Sequence, residues 1–122
     1  MKTSSAKAKG RRLQQLVRDV LRRIGAPHGL VAEDIESRGM GQNGVDVILS
    51  PAAKKVFNLS VECKNVEKLN VPTVFQEHYE KYPDASLKLL VHCRNRVEPL
   101  VTLRLEDFAA YLEKFHISEK AS

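Results

Sequence analysis

The stretch GVDVILSPAAKKVFNLSVECKN, residues 44–65, contains two strand-like segments on either side of a short break. Residues 45–50 and 56–64 are rich in β-branched and apolar residues, which is typical of strands. The PAAK segment at 51–54 begins with proline, which favours a turn between them. The stretch therefore predicts two neighbouring strands that pair as a hairpin.

Three charged residues lie within this apolar stretch: Asp46, Glu62 and Lys64. Side chains alternate across a strand, so Glu62 and Lys64 share the face opposite to Val61 and Cys63. In a hairpin, Asp46 can come near Glu62, and two carboxylates repel strongly in a poorly solvated site. A hard divalent cation, Mg²⁺ or Mn²⁺, between them would remove that repulsion.

Two further groups complete this hypothesis. The carbonyl of Cys63 lies between the two side chains and can coordinate the cation, while Lys64 can orient or deprotonate an attacking water or offset charge on a phosphate. This equipment suits metal-assisted hydrolysis of a phosphodiester. The alternative is a solvated surface salt bridge between Glu62 and Lys64.

The rest of the chain predicts one mixed α/β domain. With 122 residues it is long enough for one compact domain, and 43% apolar residues allow a core. Helical and strand periodicities give the order α-β-β-β-α-β-β-α, a mixed sheet flanked by helices. The predicted elements outside the opening stretch are a helix from Gly10 to Ile24, a strand at 31–38, a Gly-rich turn at 38–44, a helix at 71–82, strands at 87–95 and 100–105, and a helix at 106–117.

The positive charge is concentrated at one end. Residues 1–25 carry eight Lys or Arg against Asp19 alone, whereas the remainder holds 12 basic and 14 acidic residues. A concentrated basic segment favours polyanions, nucleic acid first, although a solubilising tail has the same composition. We expect no membrane span and no secretory signal, and reduced Cys63 and Cys93 thiols in the cytoplasm (of a host, if the protein is phage-encoded).

The motifs together resemble the PD-(D/E)xK nuclease superfamily and, within it, the archaeal-type Holliday junction resolvases and their phage-encoded relatives. The resemblance covers about residues 9–108, nearly the whole chain. The features that match are Lys9-Gly10 opening the first amphipathic helix, Ser37-Arg38 and a Gly-rich turn leading into Val45-Asp46, the Val61-Glu62-Cys63-Lys64 motif, and a following helix and two strands.

The resemblance implies a restriction-endonuclease-like fold and a Mg²⁺-dependent endodeoxyribonuclease, in which Mn²⁺ can substitute. Such enzymes resolve four-way junctions in DNA recombination and repair by paired nicks, as homodimers without a small-molecule cofactor. Asp46 and Glu62 match the metal-binding acids and Lys64 the catalytic lysine. Gln14 stands where the family has a Glu, so it would act as a neutral ligand or water-holder. Val45 replaces the motif's proline.

In this interpretation residues 9–117 form a single nuclease domain, between a disordered basic tail at 1–8 and a C-terminal tail at 118–122. The candidate DNA-binding residues lie at the start of the first helix and at the base of the Gly-rich turn: Lys9, Arg11, Arg12, Ser37 and Arg38. Helix N-termini favour anions, which supports backbone contact over plain solvation. The turn itself is either a plain hairpin turn or a DNA-contacting loop.

Two other functions stay open. A repair or restriction-like nuclease would use the same chemistry on duplex or flap DNA, and a non-catalytic DNA-binding module would keep the fold with an idle site. His78 lies on the apolar stripe of its helix, which favours a buried, hydrogen-bonded histidine over a catalytic one.

Overall fold

The computed structural model describes residues 2–39 and 44–121, with side chains for 6–39 and 44–115. It is a mixed α/β structure with a small mixed sheet flanked by helices, as predicted. Its helices and strands are α1 (Lys2–Gly25), β1 (Ile35–Ser37), β2 (Val47–Leu49), α2 (Pro51–Val56), β3 (Leu59–Asn65), α3 (Val71–Lys81), β4 (Leu87–Cys93), β5 (Leu100–Thr102) and α4 (Leu105–Ala121).

The strands form two groups. β1 and β2 pair antiparallel, with Ile35 opposite Leu49 and Ser37 opposite Val47. β3 and β4 pair parallel, which requires a crossover, and α3 provides it. β5 adds to the free edge of β4 in the antiparallel sense and ends the second group.

The predicted hairpin between residues 45–50 and 56–64 is wrong. A short helix, α2, replaces the predicted turn, because Ser50 Oγ accepts a hydrogen bond from the Ala53 N–H at 3.1 Å and Pro51 suits the first helical turn. β2 then pairs with β1, and β3 with β4. The two groups still touch through the Asp46 N–H, which donates to the Val61 carbonyl at 3.2 Å.

Both terminal helices are longer than predicted. α1 begins at Lys2, inside the segment predicted to be a disordered tail, because Ala and Lys favour helix and no proline interrupts it. α4 runs to Ala121, through most of the predicted C-terminal tail. The predicted strand at 31–38 is reduced to β1, and most of the predicted Gly-rich turn lies outside the described residues.

The core lies between α1 and one face of the strands. Its buried members come from α1, α2 and all strands except β5: Leu13, Leu21, Ile35, Val47, Leu49, Ala53, Val61, Cys63 and Val91. Ser60 and Glu62 alternate with Val61 and Cys63 and therefore point to the opposite face of β3. α3 covers that face with Phe75 and His78. This division gives β3 an apolar face and a polar face, as predicted.

The α1 stripe is only partly covered. Leu13 and Leu21 are buried, whereas Leu16, Val20 and Ile24 stay exposed.

No helix in the described part of the chain carries an apolar stretch that would cross a lipid bilayer.

Candidate metal and catalytic site

Asp46 lies at the junction of the two strand groups and is only 2% exposed. Its Oδ2 accepts a hydrogen bond from the Cys63 N–H at 2.7 Å, and its Oδ1 lies 2.9 Å from Nη2 of Arg38. The Asp46 carbonyl also accepts from the Arg38 N–H at 2.9 Å. Asp46 is therefore held at the edge of β3 by both its backbone and its carboxylate.

Glu62 is brought close to Asp46, although not by the predicted hairpin. Burial raises the pKa of Glu62 to about 7, and the negative charge of Asp46 adds to the rise. The positive charges of Lys64 and Lys81 act in the opposite direction without cancelling it. The position of Glu62 is thus unfavourable for a negative charge, mainly because it is buried.

His78 is buried beneath Glu62, as predicted for a hydrogen-bonded histidine. Its Nε2 lies 2.8 Å from the Ser60 carbonyl, which only accepts, so Nε2 carries the proton. Its Nδ1 faces Glu62 Oε2 at 3.7 Å and has no hydrogen-bond partner among the described residues. The edge of the Tyr82 ring packs on the imidazole, with 5.3 Å between ring centroids.

Lys64 and Cys63 lie next to the carboxylates. Lys64 Nζ is 3.8 Å from Glu62 Oε1, and its side chain is 42% exposed, so it can reach a bound ligand. Within a strand the N–H and C=O of one residue point to the same side, so the Cys63 carbonyl faces the edge where Asp46 lies. Burial strongly raises the pKa of the Cys63 thiol, so the carbonyl and not the sulfur is the candidate ligand.

The oxygen atoms at this site suit a magnesium ion, but Arg38 competes with it for Asp46. Asp46, Glu62 and the Cys63 carbonyl offer oxygen only, which Mg²⁺ prefers, and Mg²⁺ usually keeps several waters. Burial and then the neighbouring Asp46 charge raise the pKa of Glu62, and a bound cation would favour its ionised form. Arg38, however, pairs with Asp46 Oδ1, and within the described ranges no three His, Cys, Asp or Glu side chains are grouped to hold a metal.

The first helix is tied to the site end of the sheet. Lys9 Nζ donates to Asn95 Oδ1 at 2.8 Å, and the Lys9 carbonyl accepts from Asn65 Nδ2 at 3.3 Å. Lys9 therefore lies at the carboxyl ends of β3 and β4. Gln14 is half-buried further along α1 and makes no hydrogen bond with Asp46 or Glu62.

The other predicted DNA-binding residues are distributed unevenly. Arg11 and Arg12 are exposed on α1, on the same helix as Lys9. Ser37 is half-buried at the end of β1. Arg38 uses Nη1 to donate to the Gly44 carbonyl at 2.9 Å and Nη2 to pair with Asp46, so its guanidinium is engaged within the protein.

Sequence reasoning missed Arg38 as the partner of Asp46. The register of β1 and β2, extended by one position beyond Ser37 opposite Val47, sets Arg38 opposite Asp46. Counting outward from the predicted turn at 38–44 would instead have set Glu36 opposite Asp46, so the predicted turn did not reveal the pair. Lys81 on α3, which also acts on Glu62, has no comparable signal because it comes from a crossover helix.

A cleft at the carboxyl ends of β3 and β4 does not coincide with the carboxylates. It has a volume of about 480 Å³. Glu67, Lys68, His92 and Arg94 contribute to its walls, and Asp46, Glu62 and Lys64 do not. The two carboxylates and Lys64 therefore lie outside this cleft.

Comparison with protein-family models, curated proteins and solved structures gives no match. What the protein does is therefore inferred from its own residues and their geometry.

Proposed function

We propose that the protein is a Mg²⁺-dependent DNA endonuclease with a restriction-endonuclease-like fold, in which Mn²⁺ can replace Mg²⁺. The observation that carries the proposal is the closeness of Asp46 to Glu62 at the edge of β3, where Asp46 is fixed by the Cys63 N–H and its charge helps to raise the pKa of Glu62. Lys64, two residues further along the same strand, adds a partly exposed cation. Two carboxylates and a lysine in this arrangement suit phosphodiester hydrolysis.

Asp46, Glu62 and the Cys63 carbonyl would hold the cation, whose contribution is to lower the pKa of the attacking water and offset phosphate charge. Lys64 Nζ donates a hydrogen bond to a non-bridging oxygen of the scissile phosphate. The Cys63 N–H fixes the orientation of the Asp46 carboxylate at 2.7 Å. His78, buried against Glu62, limits the conformations of that side chain.

The basic end of the chain supports DNA as the substrate. Lys9 is fixed beside the carboxyl ends of β3 and β4, and Arg11 and Arg12 are exposed on the same helix. Contacts of this kind bind the phosphate backbone without reading sequence. The resemblance to junction resolvases refines the substrate to a four-way junction, cut by paired nicks in a homodimer, because a two-fold enzyme suits a two-fold junction.

A non-catalytic DNA-binding module is the second candidate, and the Arg38–Asp46 ion pair favours it. Arg38 already compensates the Asp46 charge without a metal, as it would in an idle site. Glu62 argues the other way, because Lys64, 3.8 Å from its Oε1, does not offset the rise in its pKa that burial and Asp46 cause. A nuclease acting on duplex or flap DNA keeps the proposed chemistry and differs only in substrate.

The test uses end-labelled four-way junctions, flaps and matched linear duplexes, each with Mg²⁺ or EDTA. Wild type should cut the junction in pairs and only with metal, and Glu62→Ala should bind the junction but not cut it, because phosphate contacts supply most of the affinity. Glu77→Ala, at an exposed position on α3, is the matched control and should cut normally. Cutting by Glu62→Ala at the wild-type rate would show that the site is misassigned.

The other outcomes separate the candidates. Equal cutting of all three substrates would indicate a general nuclease, and binding without cutting under any metal would indicate a DNA-binding module. Gln14→Ala should cost less activity than Asp46→Ala, since among the described residues Gln14 makes no hydrogen bond with either carboxylate. Equal losses would show that Gln14 does the work of the family's Glu.

A further inference from the structure

α4 presents an apolar face that nothing in the described chain covers. Leu105, Phe108, Leu112 and Phe115 follow a spacing of three, four and three residues, which places them on one side of the helix. Tyr111 flanks them, and all five are between 45% and 78% exposed. α4 is not packed along its length against any described helix or strand. These five residues are called the α4 seam below.

β5 does not extend the α4 seam. It forms the edge of its strand group, and its Leu100 and Val101 are each 55% exposed, but consecutive residues of a strand point to opposite faces of the sheet. The start of α4 is anchored on α3, where Arg104 Nη1 donates to the Tyr79 hydroxyl at 2.5 Å and stacks on that ring.

The α4 seam is large enough to form the centre of a dimer interface. A fully exposed aromatic residue offers ~150–250 Å². At about half exposure, the five residues of the α4 seam together offer on the order of 500 Å², against roughly 800 Å² per partner in a standard protein–protein interface, rim included. Monomeric proteins seldom expose a contiguous apolar patch of this size.

The charges around the surface favour a second copy of the chain as the occupant. Residues 104–115 carry two basic and three acidic side chains, so two copies of α4 face each other with almost no net charge. The exposed stripe of α1, formed by Leu16, Val20 and Ile24, is different, since eight basic residues lie on that helix against one acidic residue. Two copies meeting through α1 would repel.

We propose that the α4 seam forms a two-fold interface with a second copy of this chain. In such an interface each copy contributes the same patch, and a heptad-spaced apolar face complements a copy of itself. The proposal deepens the homodimer of the proposed function and rests on it for a biological role. Its structural grounds, exposure and spacing on α4, do not depend on catalysis.

The test is sedimentation velocity of the full chain over a range of concentrations. Leu112→Glu places a charge in the α4 seam, and Leu16→Glu places the same charge on α1 at a leucine of nearly equal exposure, 48% against 47%. Wild type and Leu16→Glu should sediment as dimers, and Leu112→Glu should weaken dimerisation at least 100-fold. Tyr111→Glu, at a position 58% exposed, is a second variant with little effect on folding, and circular dichroism checks both.

Three results would overturn the proposal. The first is a wild type that stays monomeric at about 100 µM or above, where only weak association would still be undetected. The second is a folded Leu112→Glu variant that still forms dimers. The third is a Leu16→Glu variant that dissociates in its place. Loss of junction affinity by Leu112→Glu with no change in mass would assign the surface to DNA. Failure of the nuclease proposal would give a different result. Wild type would then cut no substrate, but Leu112→Glu would still lower the sedimenting mass.

Discussion

Arg38→Met gives a direct measure of how much the Asp46 charge depends on its protein partner. The Asp46 side chain is 3% exposed, and without Arg38 its carboxylate keeps the hydrogen bond from the Cys63 N–H but loses the cation paired with it. Breaking a fully buried ion pair by removing one partner costs roughly 3–5 kcal/mol. Because Arg38 is itself 29% exposed, water can replace part of its contribution, and we expect a loss of about 2–3 kcal/mol.

The assay is urea unfolding in EDTA at neutral pH. Arg18→Met is the matched control, since Arg18 also lies 2.9 Å from a carboxylate, that of Asp19, but the Asp19 side chain is 59% exposed. Exposed pairs are worth about 1 kcal/mol at most, so the control should lose little. In an Asp46→Asn background the Arg38→Met cost should largely disappear.

The same experiment tests the proposed cation site. Added Mg²⁺ should stabilise Arg38→Met more than wild type, because the freed Asp46 Oδ1 no longer has to exchange an arginine for the ion. A loss below about 0.5 kcal/mol on removing Arg38, or a loss unaffected by Asp46→Asn, would refute the view that Asp46 is a buried charge compensated by Arg38.

Two further outcomes follow from the perturbed groups near the site. The folded state raises the pKa of Glu62 to about 7, so its favourable contribution is complete at low pH and is lost as pH rises through 7. Between pH 5 and 8 in EDTA, the free energy of unfolding of wild type should therefore fall by roughly 1–2 kcal/mol relative to that of Glu62→Gln, after solvent screening is allowed for. Glu77→Gln should show no such difference from wild type. If the free energies of wild type and Glu62→Gln changed in parallel with pH, the assignment would be contradicted. Burial keeps Cys63 protonated, so a thiol reagent should modify half-buried Cys93 first and Cys63 only on unfolding; equal rates in the folded protein would be inconsistent with this packing.

The fold class followed from periodicity, and the errors arose where two local signals compete. The alternation in β3 correctly separated Val61 and Cys63 from Ser60 and Glu62, because the two faces meet different helices. In contrast, Ser50 followed by a proline carries both a turn signal and a helix-capping signal, and α2 forms because Ser50 caps it.

The proximity of Asp46 to Glu62 was expected for a reason that the structure does not support. The two residues meet through a carboxylate that accepts from the Cys63 amide, and not through a hairpin ladder. Here the Asp46 carboxylate accepts the hydrogen bond that the carbonyl of a neighbouring strand would normally accept. Such a side-chain contact produces no periodic pattern of residues in the sequence. Likewise, an apolar stripe shows which side of a helix can be covered but not how far, and half of the α1 stripe is exposed.

The joint between the two strand groups also determines what amide exchange can report. β1 pairs with β2, and β3 with β4, within each group. In the described residues the backbone link between the groups is the Asp46 N–H donating to Val61, and the Cys63 N–H donates to the Asp46 carboxylate across the same joint. Protection of the Cys63 amide from hydrogen exchange should therefore follow the docking of the two groups and not the pairing inside either one.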